Sequence, residues 1–380
     1  MTPRRVFTLL ISSVVIIVLA VWLSSNRQTA RPTTAGDPVL QGLDKNAVNS
    51  VSEVRLTKGD GTKTTLKKGA HDWSVGERDY PADTGKVRKL LLDLTALNVV
   101  EEKTSTPENY PALGVEDTNS AKATGTRVDA VTSWKTYSLI VGKSSGAKSG
   151  FVRVANAAQS LLAAPVLTLD ADPRRWLDHT LIDIPQDRIK DIAVKPADGP
   201  GYTATRANKD QSDFTVAEIP KGRKLSSPAA ADPIAGSLAG LSLDDVQHAP
   251  TTAPTGVSHA VFSTFDGLKI DVAGRKEGTK TLVSFTPTST AQATEAEAKT
   301  LGARLAGWEF EIPSYKYDSL FRALEDLLEK PPEPAAKGGK KTGKPDATGN
   351  PDGTTGLPPG LKLPPGMKLP PGLTSPNPDK

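Results

Sequence analysis

The chain has 380 residues, 37% of them hydrophobic, and a formal net charge of +4 at neutral pH. The length suits two ordinary domains with extensions, and so small a charge, without clustered Lys, Arg and aromatic side chains, gives no nucleic-acid footprint. Cysteine is absent, which excludes disulfides, thiolate metal sites, a catalytic thiol and a lipidated N-terminal Cys.

The first element is "VFTLLISSVVIIVLAVWL" at 6–23, 18 residues without a charge. As a helix it would measure about 27 Å, enough to cross a bilayer core of about 30 Å with slight thinning. Arg4 and Arg5 precede it and Trp22 suits the far interface, an arrangement that puts the N-terminus in the cytoplasm. A cleaved signal peptide needs small residues at its cleavage site, where "AVWLSSN" offers Trp and Leu. The expectation is therefore an uncleaved signal anchor over residues 1–24 and a polar linker over 25–38. The bulk of the chain would then lie outside the cytoplasm of a bacterial cell.

Next, "SEVRLTKGDGTKTTLKK" alternates apolar and polar residues around "GDG", a hairpin signal with Gly and Asp at the turn. "HDWSV" adds a third strand. "ADTGKVRKLLLDLTAL" then spaces Val87, Leu90, Leu91, Leu94 and Leu97 as one helix face behind a cap at Asp83. The second half writes the same order again. "IKDIAVKPADGPGYTATRA" is strand, turn, strand; "SDFTV" matches "HDWSV"; and "ADPIAGSLAGLSL" matches the helix, with Asp232 as cap and Pro233 in the first turn. "YSLIVGKSSGAKSGFVRV" at 137–154 likewise resembles "LKIDVAGRKEGTKTLVSF" at 268–285. Each half closes on an expected helix, "DADPRRWLDHTLI" in one and "PSYKYDSLFRALEDLLEK" in the other. An order of elements kept across loops of drifting length predicts a duplication, with repeats over 39–185 and 186–330. The fold class is α+β: a transmembrane helix, two tandem repeats of antiparallel strands with packed helices, and a tail. Trp73 and Phe214 are expected as equivalent core aromatics.

The tail, residues 331–380, begins "PPEPAAKGGKKTGKPDATGNPDGTTG", a composition that predicts disorder. It continues "LPPGLKLPPGMKLPPGL", whose six-residue period is two turns of polyproline II, with Leu357, Leu363 and Leu369 on one face and Lys362 and Lys368 on another. A solvated spacer is the simpler reading; docking on an aromatic groove or an anionic surface is the other.

Chemistry is hard to find. "GKSSG" at 142–146 fits G-x-S-x-G, but a strand-like run follows where a nucleophile elbow needs a helix, so Ser144 belongs to a hairpin turn. His71, His179, His248 and His259 form no zinc-binding spacing. The carboxylates of "EE" at 101–102 and "LDDV" at 243–246 are sequence neighbours on opposite faces of a strand and read as solvated surface; "EAEAK" at 295–299 reads as an exposed helix. In "DPRRWLDHTLIDIPQDRIKDIAV" the residues Arg174, Arg175, Asp178 and His179 either line a cleft between repeats or, the simpler reading, decorate an amphipathic helix that buries Trp176, Leu177 and Leu181. No catalytic, cofactor-binding or metal residue is assigned, no cofactor is expected, and the chain is expected not to be an enzyme.

In its order of motifs the sequence resembles a family known as domain of unknown function 4340. The features are the hydrophobic start, "PVLQGLDKNAVNSVSEVRL", the Trp-containing "HDWSV", a Leu-rich helix, "YPALGVED" at 110–117, "SLIVGK", and a "W-L-x-x-x-L-I" run into an "I…I-x-V" strand. The resemblance covers roughly residues 37–330 and brings no catalytic residue with it. It implies an accessory subunit beside an ABC-type transport system of the gliding-motility auxiliary kind. The expected function is a single-pass, membrane-anchored extracytoplasmic binding protein with a permease or ATPase as partner. The alternatives are a cell-envelope hydrolase acting on peptidoglycan or polysaccharide, and an envelope spacer that touches the cell wall through its tail.

Overall fold

The structure is a computed structural model that describes residues 34–330. The expected anchor over 6–23 and the tail over 331–380 lie outside these residues. Among the described residues, no helix is long and apolar enough to cross a membrane.

The first half supplies β1 (Glu53–Lys58), β2 (Lys63–Lys68), β3 (Trp73–Val75), β4 (Tyr80–Pro81), β5 (Asn98–Glu102), β6 (Thr126–Val131), β7 (Thr136–Ser145), β8 (Ser149–Val154) and β9 (Ser160–Ala164). They form a nine-stranded antiparallel sheet in the order β4-β3-β2-β1-β6-β7-β8-β9-β5. The second half supplies β10 (Thr180–Ile182), β11 (Ile189–Lys195), β12 (Tyr202–Thr205), β13 (Thr215–Val216), β14 (Leu241–Ser242), β15 (Asp245–His248), β16 (Ser258–Thr264), β17 (Leu268–Glu277), β18 (Lys280–Ser289) and β19 (Trp308–Glu311). Eight of these form the second sheet, in the order β13-β12-β11-β16-β17-β18-β19-β15, while β10 and β14 pair separately. From β3 onward each strand of the first sheet has a counterpart at the same place in the second.

The register carries this match down to single residues. Leu66 pairs with Val75 and Lys68 with Trp73, while Ala204 pairs with Val216, which puts Phe214 where Trp73 stands. Both rings are buried, at 7% and 2% exposure, as expected of core aromatics. Leu56 faces Thr64 as Val194 faces Tyr202. Each of these second residues donates a hydrogen bond to the segment closing its own half: Thr64 Oγ1 to Ala171 O at 2.7 Å and Tyr202 OH to Arg322 O at 2.8 Å. One apolar cluster then runs from Val39 to Leu328 through both sheets.

Among the described residues six α-helices pack around the sheets: α1 (Lys45–Asn49), α2 (Thr84–Thr95), α3 (Tyr110–Leu113), α4 (Asp232–Ala235), α5 (Glu295–Leu305) and α6 (Ser314–Leu320). Helix α2 forms behind its expected cap, with Asp83 Oδ1 accepting the Lys86 amide at 3.0 Å and Val87, Leu90, Leu91 and Leu94 buried; it ends at Thr95, so Leu97, expected on the same face, is buried instead from the link into β5. The β1–β2 turn also forms, with Gly61 at φ +88°. Asp60 contributes there through its carboxylate, which accepts the Thr62 amide at 2.8 Å. Ser144 lies in β7 opposite Gly150, just before the turn at Gly146.

Three expected helices differ. The second-half counterpart of α2 is only the four residues of α4 and a 3₁₀ turn at Gly236–Leu238, capped by Ala231 rather than Asp232. The helix expected over "DADPRRWLDHTLI" is a 3₁₀ turn at Pro173–Trp176 followed by extended chain, although Trp176, Leu177 and Leu181 are buried as expected. Here sheet-type bonds win: Asp178 N donates to Pro81 O at 3.0 Å, and Leu177 bridges Ala82. The last helix stops at Leu320, after which Leu328 bridges Leu225 and Ser226 N donates to Leu327 O at 2.8 Å.

A family motif has a packing role on the outer face of the first sheet. The "YPALGVED" loop lays Tyr110 and Val115 on Ile140. Arg153, buried beneath it, donates to Val115 O at 2.9 Å and Asp117 Oδ1 at 2.6 Å and lies over the Tyr110 ring at 4.6 Å. The loop passes so close to Gly142, the glycine of "SLIVGK", that a Cβ there would overlap the carbonyl oxygen of Leu113 and meet Val115 Cγ1 at 2.9 Å.

Two predictions follow from this packing. Gly142→Ala should cost about 1–3 kcal/mol in urea unfolding, as overpacking does, and should speed hydrogen exchange across residues 110–117. Asp232 has one carboxylate oxygen buried without a partner, and burial, then the nearby Asp213, push its carboxyl above the ordinary value. A raised value means that the folded state holds the proton more tightly, so stability from this group is present at low pH and lost as pH rises through the folded value. Asp232→Asn should therefore raise Tm by about 1–2 °C at neutral pH and leave it unchanged in acid near pH 3.

Candidate functional site

The two sheets meet where β4, an edge of the first, lies against β15 and β19 of the second. The β3–β4 turn directs Arg78 across the boundary: Nε donates to Asp245 Oδ1 at 2.6 Å and Nη2 to Oδ2 at 2.9 Å. This fork is sheltered, with the side chains 29% and 14% exposed. Asp245 Oδ1 also accepts the Val246 amide at 2.8 Å. The carboxylate contact raises the Arg78 value above its ordinary one, against the opposing effect of burial. Asp245 is thus not the solvated residue that its place in "LDDV" suggests.

Beside this pair Tyr80 is buried edge-on against Trp308, with ring centroids 5.3 Å apart, and against Phe310 at 5.9 Å. Burial pushes its phenol up to about 12. His248 stacks on the other side of Trp308 at 4.3 Å. Further along the same strands, Arg275 is forked onto Glu309 at 3.0 and 2.9 Å, and Gln247 donates to Glu309 at 3.0 Å. Arg275, ahead of the burial penalty, holds the Glu309 carboxyl below the ordinary range. Lys280 pairs with Glu311 at 3.3 Å. Arg304 of α5 donates to Leu181 O on β10. Arg78 and Asp245 are thus engaged with one another, as are Arg275, Gln247 and Glu309, while the Nε of Arg304 is buried without a partner.

The four polar residues of "DPRRWLDHT" do not converge. Arg174 is held by Asp172, with its closest contact 2.6 Å. Arg175 turns to a separate groove, where it lies 3.7 Å from Asp170. Asp178 accepts the Thr180 amide at 3.1 Å. The Nδ1 of His179 is 2.6 Å from the Leu243 carbonyl oxygen, which makes that nitrogen the protonated one. Burial first, then the nearby Glu311, push the Asp244 carboxyl above its ordinary value. Of the other histidines, His259 lies 3.9 Å from Asp271. Among the described residues, no three His, Asp or Glu side chains are grouped to hold a metal ion.

Two open grooves flank the body. One, of about 760 Å³, runs beside α6 past Ser258, Lys276, Asp318, Arg322 and Asp326, with Lys276 and Asp318 paired at 3.0 Å. The other, of about 450 Å³, lies between α2 and residues 166–176; Lys89 is paired with Asp93 at 2.6 Å, and Lys86 donates to Arg175 O at 3.1 Å.

Paired antiparallel sheets with helices on their faces define an α+β protein built around this junction. A family model described as a domain of unknown function (DUF4340) matches residues 73–259, in line with the resemblance carried by the order of motifs. The matched stretch begins at Trp73, ends on β16, and contains both Arg78 and Asp245, so the family unit spans the junction rather than one sheet. No curated protein and no solved structure matches the chain.

The junction was hidden from the sequence because Arg78 and Asp245 stand 167 residues apart. The signal that could have found it is a two-residue edge strand flanked by a charge, facing an acid at the start of an edge strand in the other half. The expected result of a double-mutant cycle in urea is a loss of about 2 kcal/mol for Asp245→Ala and a coupling to Arg78→Ala of about 1 kcal/mol or more; simple additivity would show that the fork does not join the sheets.

Proposed function

We propose that this chain is a membrane-anchored, extracytoplasmic binding protein, an accessory to an ABC-type transport or other envelope complex, that works by holding a partner rather than by catalysis. The observation that carries this reading is the junction, where Arg78 of the β3–β4 turn is paired with Asp245 of the second sheet and the Tyr80 ring packs edge-on against Trp308 and Phe310. Such an arrangement holds two sheets at one angle, which is what a docking scaffold needs. The shared strand order supports a tandem duplication as its origin. The uncharged run at 6–23, with Arg4 and Arg5 before it, supports the anchor and its orientation. Only ten residues, 24–33, separate that run from the described body, a tether of at most about 36 Å.

The test is affinity purification from gently solubilised native membranes, using the full chain, a chain lacking residues 331–380 and a chain lacking 37–330. Permease and ATPase subunits should accompany the first two and be lost with the third. Recovery of wall material alone, dependent on the tail, would replace this reading with the spacer.

A further inference from the structure

Four tryptophans lie among the described residues, and three are packed: Trp73 and Trp176 are buried, and Trp308 is wedged between Tyr80 and His248. Trp134 is different. It stands at the tip of the β6–β7 hairpin with 62% of its surface exposed. The turn that carries it is tightly bonded: Thr132 N and Oγ1 both donate to Lys135 O, at 2.9 and 2.8 Å, and Lys135 N donates back to Thr132 Oγ1 at 3.1 Å. A large ring is thus presented on a well-braced support.

This hairpin is also fastened to the lead-in that brings the chain from its N-terminal segment into the body. Lys135 Nζ donates to Gln41 O at 3.5 Å, and Tyr137 OH donates to Gly42 O at 2.8 Å. Upstream, the same lead-in is bound to the edge of the first sheet by Gly36 N to Val99 O at 2.8 Å and Val39 N to Leu97 O at 2.9 Å. The tip is therefore bonded to the lead-in at Gln41 and Gly42; Gln41 is seven residues after the first described residue and 18 after Leu23, the last residue of the uncharged run. An exposed Trp with a neighbouring Lys is the side-chain pair that favours the interface between lipid headgroups and hydrocarbon, where an amphipathic ring gains both environments.

We propose that the Trp134 hairpin tip is a second membrane contact: it dips into the outer-leaflet interface beside the anchor and so sets the tilt of the body on the bilayer. The proposal rests on the anchored reading above, and its occupant is the lipid interface itself, not a protein. With two points of attachment, the anchor and the tip, the body would present one constant face to a membrane partner instead of swinging on its tether.

The absence of Cys makes the test direct, because a single introduced thiol is uniquely labelled. Ser133→Cys, Tyr315→Cys and Ser12→Cys would each be made in the full chain, labelled with a fluorophore and reconstituted into phosphatidylethanolamine–phosphatidylglycerol vesicles carrying nitroxide lipids. Tyr315, 66% exposed on α6, is the control for a like degree of exposure. Quenching is expected at Ser12 and Ser133, severalfold above that at Tyr315, and Trp134→Ala should reduce it at Ser133 but not at Ser12. Quenching at Ser12 without quenching at Ser133, or equal quenching at Ser133 and Tyr315, would overturn the proposal while leaving the anchor standing. No quenching at Ser12 would overturn the anchored reading; quenching at Ser133 alone would then keep the tip as a peripheral contact.

Discussion

The body depends on how one weak edge is covered. Strand β4 is two residues long and contains Pro81, which has no amide to offer, so the edge of the first sheet cannot be completed by another long strand. It is completed instead by the extended chain at Leu177–Asp178 on one side and by the second sheet on the other. Arg78 crosses that boundary as a planar fork onto Asp245, a geometry that Lys cannot reproduce. Tyr80 brings a large apolar ring to the same place, and edge-to-face packing on Trp308 and Phe310 adds directionality to its burial. A charge pair placed so near an aromatic cluster gains strength from partial exclusion of water, and would be costly if either member were alone.

With the junction in place, the two halves show what one strand order tolerates. Their shared positions hold different side chains: Trp73 against Phe214, Leu66 against Ala204, Thr64 against Tyr202. The hydroxyl survives the last exchange, and so does its task of fastening the closing segment. Elsewhere the halves diverge. The first covers its outer face with the loop at 110–117 and the buried Arg153; the second packs α5 near β18 and ties it down through Glu297 and Arg188, paired at 2.9 Å. A scaffold can lose symmetry in this way, because each half needs only to keep its own core filled and its own boundary bonds made.

What was legible along the chain was mostly local. The hairpins at Gly61 and Gly199, the capped face of α2, the buried Trp73 and Phe214, and the α+β class all follow from alternation, turn chemistry and helical spacing over a few residues. The expected repetition was read from an order of elements kept across changes in loop length, and the two sheets share their strand order from β3 onward. Three of the departures share a cause. At Asp178, Leu328 and Asp245 the backbone or side chain found a partner far away in sequence, and that partner overrode the local preference. "DPRRWLDHTLI" reads as a helix by the positions it buries, and those positions are indeed buried; its backbone nonetheless bonds to Pro81, nearly a hundred residues earlier.

The sequence alone determined the composition limits, the uncharged run, the repeated order of elements and most of the core, because hydrophobic periodicity and turn residues act over short range. Only the tertiary structure decided which edge meets which, that Arg78 finds Asp245, where Gly142 lets a loop pass, and that Trp134 stands exposed beside the lead-in. Each of these depends on pairings between distant residues, and a local pattern holds no record of what will lie opposite once the sheets have closed.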